Sequence, residues 1–296
     1  MYPYLFLGGI LMLKVALSAE STIDLDQSHL TRYDIHTLPF HVQKGSEEGF
    51  DFKFSNEDLF AFTNETGTLC HTSACNIDEL QAHFKKLFDL GYDRILHFTI
   101  SSGLSSGYNN AMVAAEGDAR ILVIDSHATS GGIALQAIYA RQLLDSGMSF
   151  EDVYAKVLAR RKDIECSFQL DRLDFLYKGG RCSKLALIGA NLLRIKPEIV
   201  CDEEGHFALG AKHRGSSEKC TLEYIDNMIA HYPHADKSLV FLDYSTMSPE
   251  LIKKCEERCQ AAGFKEIQTY QACPTNSYHA GPNVIGIHFY EQGPLE

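Results

Sequence analysis

No excess of basic residues is present: 27 Lys and Arg face 39 Asp and Glu, for a formal net charge of −12 over 296 residues. That balance repels phosphate backbones and anionic headgroups, which excludes nucleic acid as a partner and leaves at most transient contact with a membrane. No CxxC pair occurs among the nine scattered cysteines, Cys70/Cys75 and Cys255/Cys259 being spaced otherwise. A zinc site is therefore not indicated, no metal is expected, and free thiols fit a reducing cytoplasm. Neither nucleotide-cradling pattern, Gly-x-x-x-x-Gly-Lys-Ser or Gly-x-Gly-x-x-Gly, is found. There is no internal repeat and no low-complexity linker. The apolar run Tyr4 to Leu13 is too short to span a bilayer and carries no basic flank. Met1–Leu11 reads as an extension ahead of a start at Met12, in preference to a signal peptide.

What is present centres on Ser101-Ser102-Gly103-Leu104-Ser105-Ser106-Gly107. The loop runs from the apolar stretch Ile95 to Ile100 into a helix predicted from Tyr108 to Glu116, and a strand follows over Arg120 to Ile124. A strand–helix–strand crossover of this length puts the loop at the carboxyl end of a parallel strand, the edge where open α/β sheets bind ligands. Backbone N–H groups, the helix dipole and several hydroxyls gathered there suit a carboxylate or phosphate. The same residues also spell a capped turn. Thr72 and Ser73 precede a second helix, predicted over Asn76–Leu90 with Asn76 as N-cap and Glu79 at the capping-box position, and are placed to converge on the same anion. Glu20-Ser21-Thr22, ending a first strand that starts at Lys14, reads either as part of that cleft or as a plain turn. Asp125 and His127 read as an acid/base pair or, more simply, as helix caps.

Further elements predicted in this half are a strand over Ile35–Val42 and helices over Ser55–Thr63, Ser130–Ser146 and Ser149–Lys162. Ala134, Ala137, Ile138, Leu143 and Leu144 give the third of these an apolar face. Beyond Glu165 the texture changes. A strand at Cys166–Leu170 and a helix at Ser183–Leu193 lead to a hairpin over Pro197–Leu209, turning on Asp202-Glu203-Glu204-Gly205. Helices at Ser216–Ala230 and Ser248–Ala262 and strands at Ser238–Leu242, Glu266–Gln271 and Val284–Phe289 complete the chain. The expected fold class is α/β: an N-terminal parallel-sheet domain over 12–163 and a C-terminal α+β domain over 164–296.

Several stretches, in order, resemble the DegV-like lipid-binding proteins, whose better understood members serve as the fatty-acid-binding subunit of bacterial fatty acid kinase. Ser21-Thr22 resembles the family's Asp-Ser-Thr, Thr72-Ser73 its Thr-Ser-Gln-Pro, and Ser101 to Ser105 its Ser-Ser-Gly-Leu-Ser. Leu173-Asp174-Phe175-Leu176-Tyr177-Lys178-Gly179-Gly180-Arg181 is similar to Leu-Glu-Tyr-Leu-x-x-Gly-Gly-Arg, and Leu192 to Pro197, Arg214-Gly215 and His279-Ala280-Gly281-Pro282 fall in family order. The chain departs from the pattern at Glu20 (Asp), Ala74-Cys75 (Gln-Pro), Ser106-Gly107 (Gly-Thr) and Asn283 (Gly). The resemblance implies a non-catalytic carrier of phospholipid metabolism, with one long-chain fatty acid between two domains and no other cofactor. Thr72 and Ser102 would bond the carboxylate, beside Ser73 and Ser101, with His279 and Arg181 as supporting donors. The implied partner is an ATP-binding fatty acid kinase subunit, which forms the acyl phosphate. In so acidic a chain the run Lys212-His213-Arg214-Gly215 is a local exception, and Arg214 is the expected docking cation near the cleft mouth. Two other readings use the same loop: a serine hydrolase built on Ser102, His279 and Asp125, although Ser102 does not sit in a Gly-x-Ser-x-Gly elbow, and a phosphate-binding transferase.

Overall fold

Strands buried on both faces of a parallel sheet are apolar along their whole length, and β1 (Val15–Glu20) meets that requirement with all six residues buried. The structure, a computed structural model, describes residues 13–181 and 195–293. After β1 come α1 (Gln27–Arg32), β2 (Ile35–Leu38), β3 (His41–Lys44), β4 (Glu47–Phe50), α2 (Asn56–Thr66), β5 (His71–Ser73), α3 (Ile77–Asp89), β6 (Arg94–Thr99), α4 (Gly107–Ala114), β7 (Ile121–Asp125), α5 (Gly131–Asp145) and α6 (Phe150–Arg160). There follow β8 (Ile164–Gln169), α7 (Asp174–Lys178), β9 (Lys196–Cys201), β10 (Phe207–His213), α8 (Ser217–His231), β11 (Leu239–Tyr244), α9 (Pro249–Ala261), β12 (Glu266–Gln271), α10 (Pro274–Ala280) and β13 (Ile285–Tyr290). The helix predicted over Ser183–Leu193 and the extension Met1–Leu11 lie outside the described residues.

Four strands form a parallel sheet in the order β2-β1-β6-β7. From β1 the chain moves to one side, and from β6 to the other. The carboxyl ends of β1 and β6 therefore flank the point where strand order reverses, which is where such sheets open a crevice. The second sheet, β10-β9-β8-β13-β11-β12, is antiparallel except for the β11/β12 pair. A small antiparallel sheet, β4-β3-β5, carries Thr72 at its edge.

The single strand expected over Ile35–Val42 is two. Proline at 39 removes a donor and breaks the run, so β2 joins the parallel sheet while β3 turns away to pair with β4 and β5. Helix α5 is buried on every side from Gly131 to Ala140, because it lies between the two large sheets and touches β1 and β6 on one face and β8, β11 and β13 on the other. An apolar core runs without interruption from Val15 and Leu96 through α5 to Phe168 and Phe241. Among the described residues no helix is long and apolar enough to cross a membrane.

Candidate functional site

The loop after β6 closes largely on itself. Leu104 N and Ser105 N donate to Ser101 O at 3.0 and 3.2 Å, Gly103 N donates to Ser101 Oγ at 3.1 Å, and Ser102 N donates to Asp125 Oδ1 at 3.0 Å. These amides, expected to face an anion, are thus engaged within the protein. Ser101 is buried and its Oγ donates to Gly205 O at 2.8 Å, tying the loop to the β9–β10 hairpin. That approach requires glycine at the hairpin tip: Gly205 has φ +78°, and a Cβ there would stand 2.1 Å from Ser101 Oγ. Ser102 is exposed. The loop residues that face the cavity are Leu104 and Ser105.

Glu20, Ser21 and Thr22 lie fully buried beneath the loop. Glu20 Oε2 accepts Ile100 N at 2.9 Å, and the carboxyl packs where a Cβ on Gly107 would clash with it. Burial, partly offset by that amide, pushes Glu20 up to about 8, so it supports the loop as a neutral acid at neutral pH.

A cavity opens beside the loop, between it and the β5, α7 and α10 stretches. Phe40, Ile100, Phe168, Leu176 and Phe207 make much of its wall apolar. At its polar side Thr72, Ser73, Arg181 and His279 come together, from three separate stretches: β5, the turn after α7, and α10. Thr72 Oγ1 and His279 Nε2 hydrogen-bond at 2.7 Å. Burial, then the charges of Arg181 and His71, press His279 down to about 3, so the ring is neutral. Among the described residues its Nδ1 is buried without a partner, and it packs against Gly179, where a Cβ would stand 2.7 Å away. Arg181 Nη1 donates to Gly179 O at 2.6 Å, and among the described residues the guanidinium has no acidic partner.

Two buried carboxylates, not anticipated from the sequence, hold the stretch that delivers His279. Asp51 accepts Ser21 Oγ at 2.6 Å, Thr275 N at 3.0 Å and Thr275 Oγ1 at 2.8 Å. Asp24 accepts Cys273 N at 2.8 Å and Asn276 Nδ2 at 2.7 Å. Burial raises both, Asp24 to about 7. Helix α10 itself was unforeseen. Asp24 had one signal, an acidic residue just past a strand end, and it adopts a left-handed φ of 56°.

The other candidates fall elsewhere. Asp125 accepts both Ser102 N and His127 N, which is a capping role, and His127 Nδ1 bonds Glu203 O at 2.8 Å. Since His279 is bonded to Thr72, no Ser102–His279–Asp125 relay is formed. The spelling Gly103-x-Ser105-x-Gly107 is the sequence signal that marks Ser105. Yet Ser105 is not among the residues of positive φ, and its Oγ accepts Gly107 N at 3.2 Å with no histidine bonded to it. Arg214 is exposed, but it follows β10, seven residues beyond Phe207 at the cavity, which is about 23 Å at 3.3 Å per residue. His213 is not part of a surface cluster, being buried beside Glu198 at 3.5 Å. Among the described residues Asp202, Glu204 and His206 bring possible ligand atoms within 4.8 Å of one another. Asp202 there accepts Glu204 N and His206 N to close the hairpin.

The family model of DegV, described as an uncharacterised protein family, matches residues 14–292. This chain belongs to the DegV family. A DegV domain-containing protein of Clostridium acetobutylicum is 25% identical over 285 residues, covering 95% of this chain and all of the relative. A protein of Thermotoga maritima named a fatty acid-binding protein is 33% identical over 190 residues, 62% of this chain and 66% of its own. A solved structure of a DegV family protein from Thermus thermophilus, described for its fatty acid binding, superposes with a TM-score of 0.86 at 25% identity, covering 94% of this chain and 99% of the other. The DegV fold, a parallel-sheet N-terminal part joined to a mixed-sheet C-terminal part, accounts for the arrangement above.

Proposed function

We propose that this DegV protein binds one long-chain fatty acid, with the carboxylate on Thr72, Ser73, His279 and Arg181 and the acyl chain along Phe40, Phe168, Leu176 and Phe207. Residues 12–163 would supply the hydroxyls and 164–296 would close the tunnel. The observation that carries this reading is a half-buried guanidinium, without an acidic partner among the described residues, opening on a mainly apolar cavity. Such a cation calls for an anionic head and the wall for an apolar tail. Burying about 14 methylenes yields roughly 11 kcal/mol gross at about 0.8 kcal/mol each, against about 1.5–3 kcal/mol for each charged hydrogen bond. The tail therefore sets affinity and the head sets orientation. From the loop, Ser105 is the hydroxyl that faces the cavity, and Ser102 would reach the carboxylate only after turning inward.

A carboxylate held here has no nucleotide site beside it in the sequence, so the proposal includes an ATP-binding kinase subunit in the cytoplasm that docks over the mouth and forms the acyl phosphate. Gly103–Ser106, Gly180, Arg181 and His206 line a second hollow that shares Leu104, Ser105, Arg181 and Phe207 with the cavity and would offer that partner a docking surface; Arg214 would be a distal contact. The test is to denature the purified protein and extract it for mass spectrometry. Release of about one long-chain fatty acid per chain is expected. An extract free of lipid, together with no uptake of added oleate, would refute the carrier reading.

A further inference from the structure

Two cysteines behind the cavity wall have no part in lipid binding. The antiparallel register of β8 and β9 pairs Ser167 with Val200, which sets Cys166 directly across from Cys201. Directly opposed residues have Cα atoms about 4.5–5.5 Å apart, inside the range of about 4.4–6.8 Å that a disulfide spans. Their side chains already meet, with Cys201 Sγ donating to Cys166 Sγ at 3.5 Å. On the other flank of Cys166 the register places His288 of β13. His288 is fully buried, lies directly across from Cys166 and forms an ion pair with Asp243 of β11.

The first turn of α5 closes the site. A Cβ on Gly132 would stand 3.3 Å from Cys166 Sγ, and one on Gly131 would stand 2.8 Å from the His288 ring, so the glycine pair lets a helix N-terminus reach the sulfur. A donated S–H, an imidazolium and a helix N-terminus each favour a thiolate. The Cys201 hydrogen bond first, working against burial, and His288 after it hold the Cys166 thiol below its usual range, while its anion pushes Cys201 up. Burial instead drives Cys255 and Cys259 up to about 12, which leaves them inert thiols.

We propose that Cys166 and Cys201 are a hydroperoxide-reactive dithiol that closes to a reversible cross-strand disulfide. The Cys166 thiolate attacks one peroxide oxygen, forming an S–O bond as the O–O bond breaks, and the departing oxygen takes the proton held on His288 and leaves as water or an alcohol. The Cys201 sulfur then displaces the hydroxyl of the Cys166 sulfenic acid, forming the S–S bond, and its own proton leaves with that hydroxyl as water. Two thiols lose two electrons, and one peroxide bond gains them.

The full chain is exposed to a small excess of hydrogen peroxide, alkylated under denaturing conditions, digested and mapped by mass spectrometry. The expected result is a Cys166–Cys201 linked peptide, two hydrogens lighter, reversed by dithiothreitol, with Cys255 and Cys259 still alkylated. In Cys201→Ser, dimedone should trap Cys166 as its sulfenic acid; in Cys166→Ser, Cys201 should be alkylated as fully as without peroxide. Persistent alkylation of both residues under peroxide that oxidises glutathione in the same tube would overturn the proposal. So would linkage formed no faster than any involving Cys255 or Cys259. Should either variant fail to fold, the map of the unmutated chain decides alone.

Discussion

Thr72 and His279 hold each other at 2.7 Å, so a carboxylate entering the polar end exchanges that hydrogen bond for its own and leaves both groups satisfied. Removing the Thr72 hydroxyl takes one donor away from the bound carboxylate. Thr72→Ala is expected to weaken fatty acid binding by about 1–3 kcal/mol. Ser105→Ala should weaken it as well, since Ser105 faces the cavity, whereas Ser102→Ala should change it little because that side chain is exposed. Titration with a fluorescent fatty acid analogue decides; a larger loss in Ser102→Ala than in Ser105→Ala would show that the loop rearranges on binding. Gly179 acts by being small. In Gly179→Ala the new methyl meets His279 Nδ1 at 2.7 Å, and displacing the ring should cost about 1–3 kcal/mol and lower affinity, with the fold retained by circular dichroism.

At the scale of elements, much of the fold was legible because local chemistry decided it. Asn76 and Glu79 form the reciprocal capping box that their spacing spelled, at 2.9 Å each way, and Ser55, Ser149, Ser216 and Ser248 all cap the helices placed after them. The hairpin turned on Asp202 to Gly205 as written. What escaped was tertiary. Helix α10 has too few residues for periodicity to announce it, and its position is dictated by Asp24 and Asp51, some 225 to 250 residues away in sequence. The loop amides looked free because Asp125 and the Ser101 side chain, which satisfy two of them, are side-chain partners no spacing rule reveals. Asp51 makes the dependence testable. Asp51→Ala leaves Thr275 N and two hydroxyls buried without their acceptor, so stability should fall by at least about 1–3 kcal/mol, read from the urea midpoint at constant slope. An unmoved midpoint would mean that water or a neighbour replaces the carboxylate.

For the molecule as a whole, buried acids and buried histidines pull its stability in opposite directions with pH. Burial raises Glu20 to about 8 and Asp24 and Glu165 to about 7. Each keeps its proton in the folded state after the unfolded chain has released it, so the stability it contributes is complete below the ordinary carboxylate range and is lost as pH rises toward 7 to 8. Burial lowers His83 to about 4 and His97 and His279 to about 3. The unfolded chain takes up those protons near pH 6.5 while the folded chain refuses them, so this contribution is complete above 6.5 and falls away toward 3 to 4. Between about pH 4.5 and 6.5 the two slopes oppose each other, with Asp51, also raised by burial, on the side of the acids. Above 6.5 the contribution of these three histidines is complete while the acids continue, at up to about 1.4 kcal/mol per pH unit for each; His288, raised against burial by Asp243, adds to their slope, and the depressed Cys166 thiol works against it. The melting temperature is therefore expected to change less between about pH 5 and 6.5 than between 6.5 and 8, where it declines. Glu20→Gln, which cannot ionise and can still accept the Ile100 amide through its carbonyl, should flatten the upper part of that decline. Melting curves at pH 5.5, 7 and 8.5 for both proteins check this: an identical decline in Glu20→Gln would show that Glu20 is already ionised in the fold, and with it that the loop rests on a charge and not on a neutral acid.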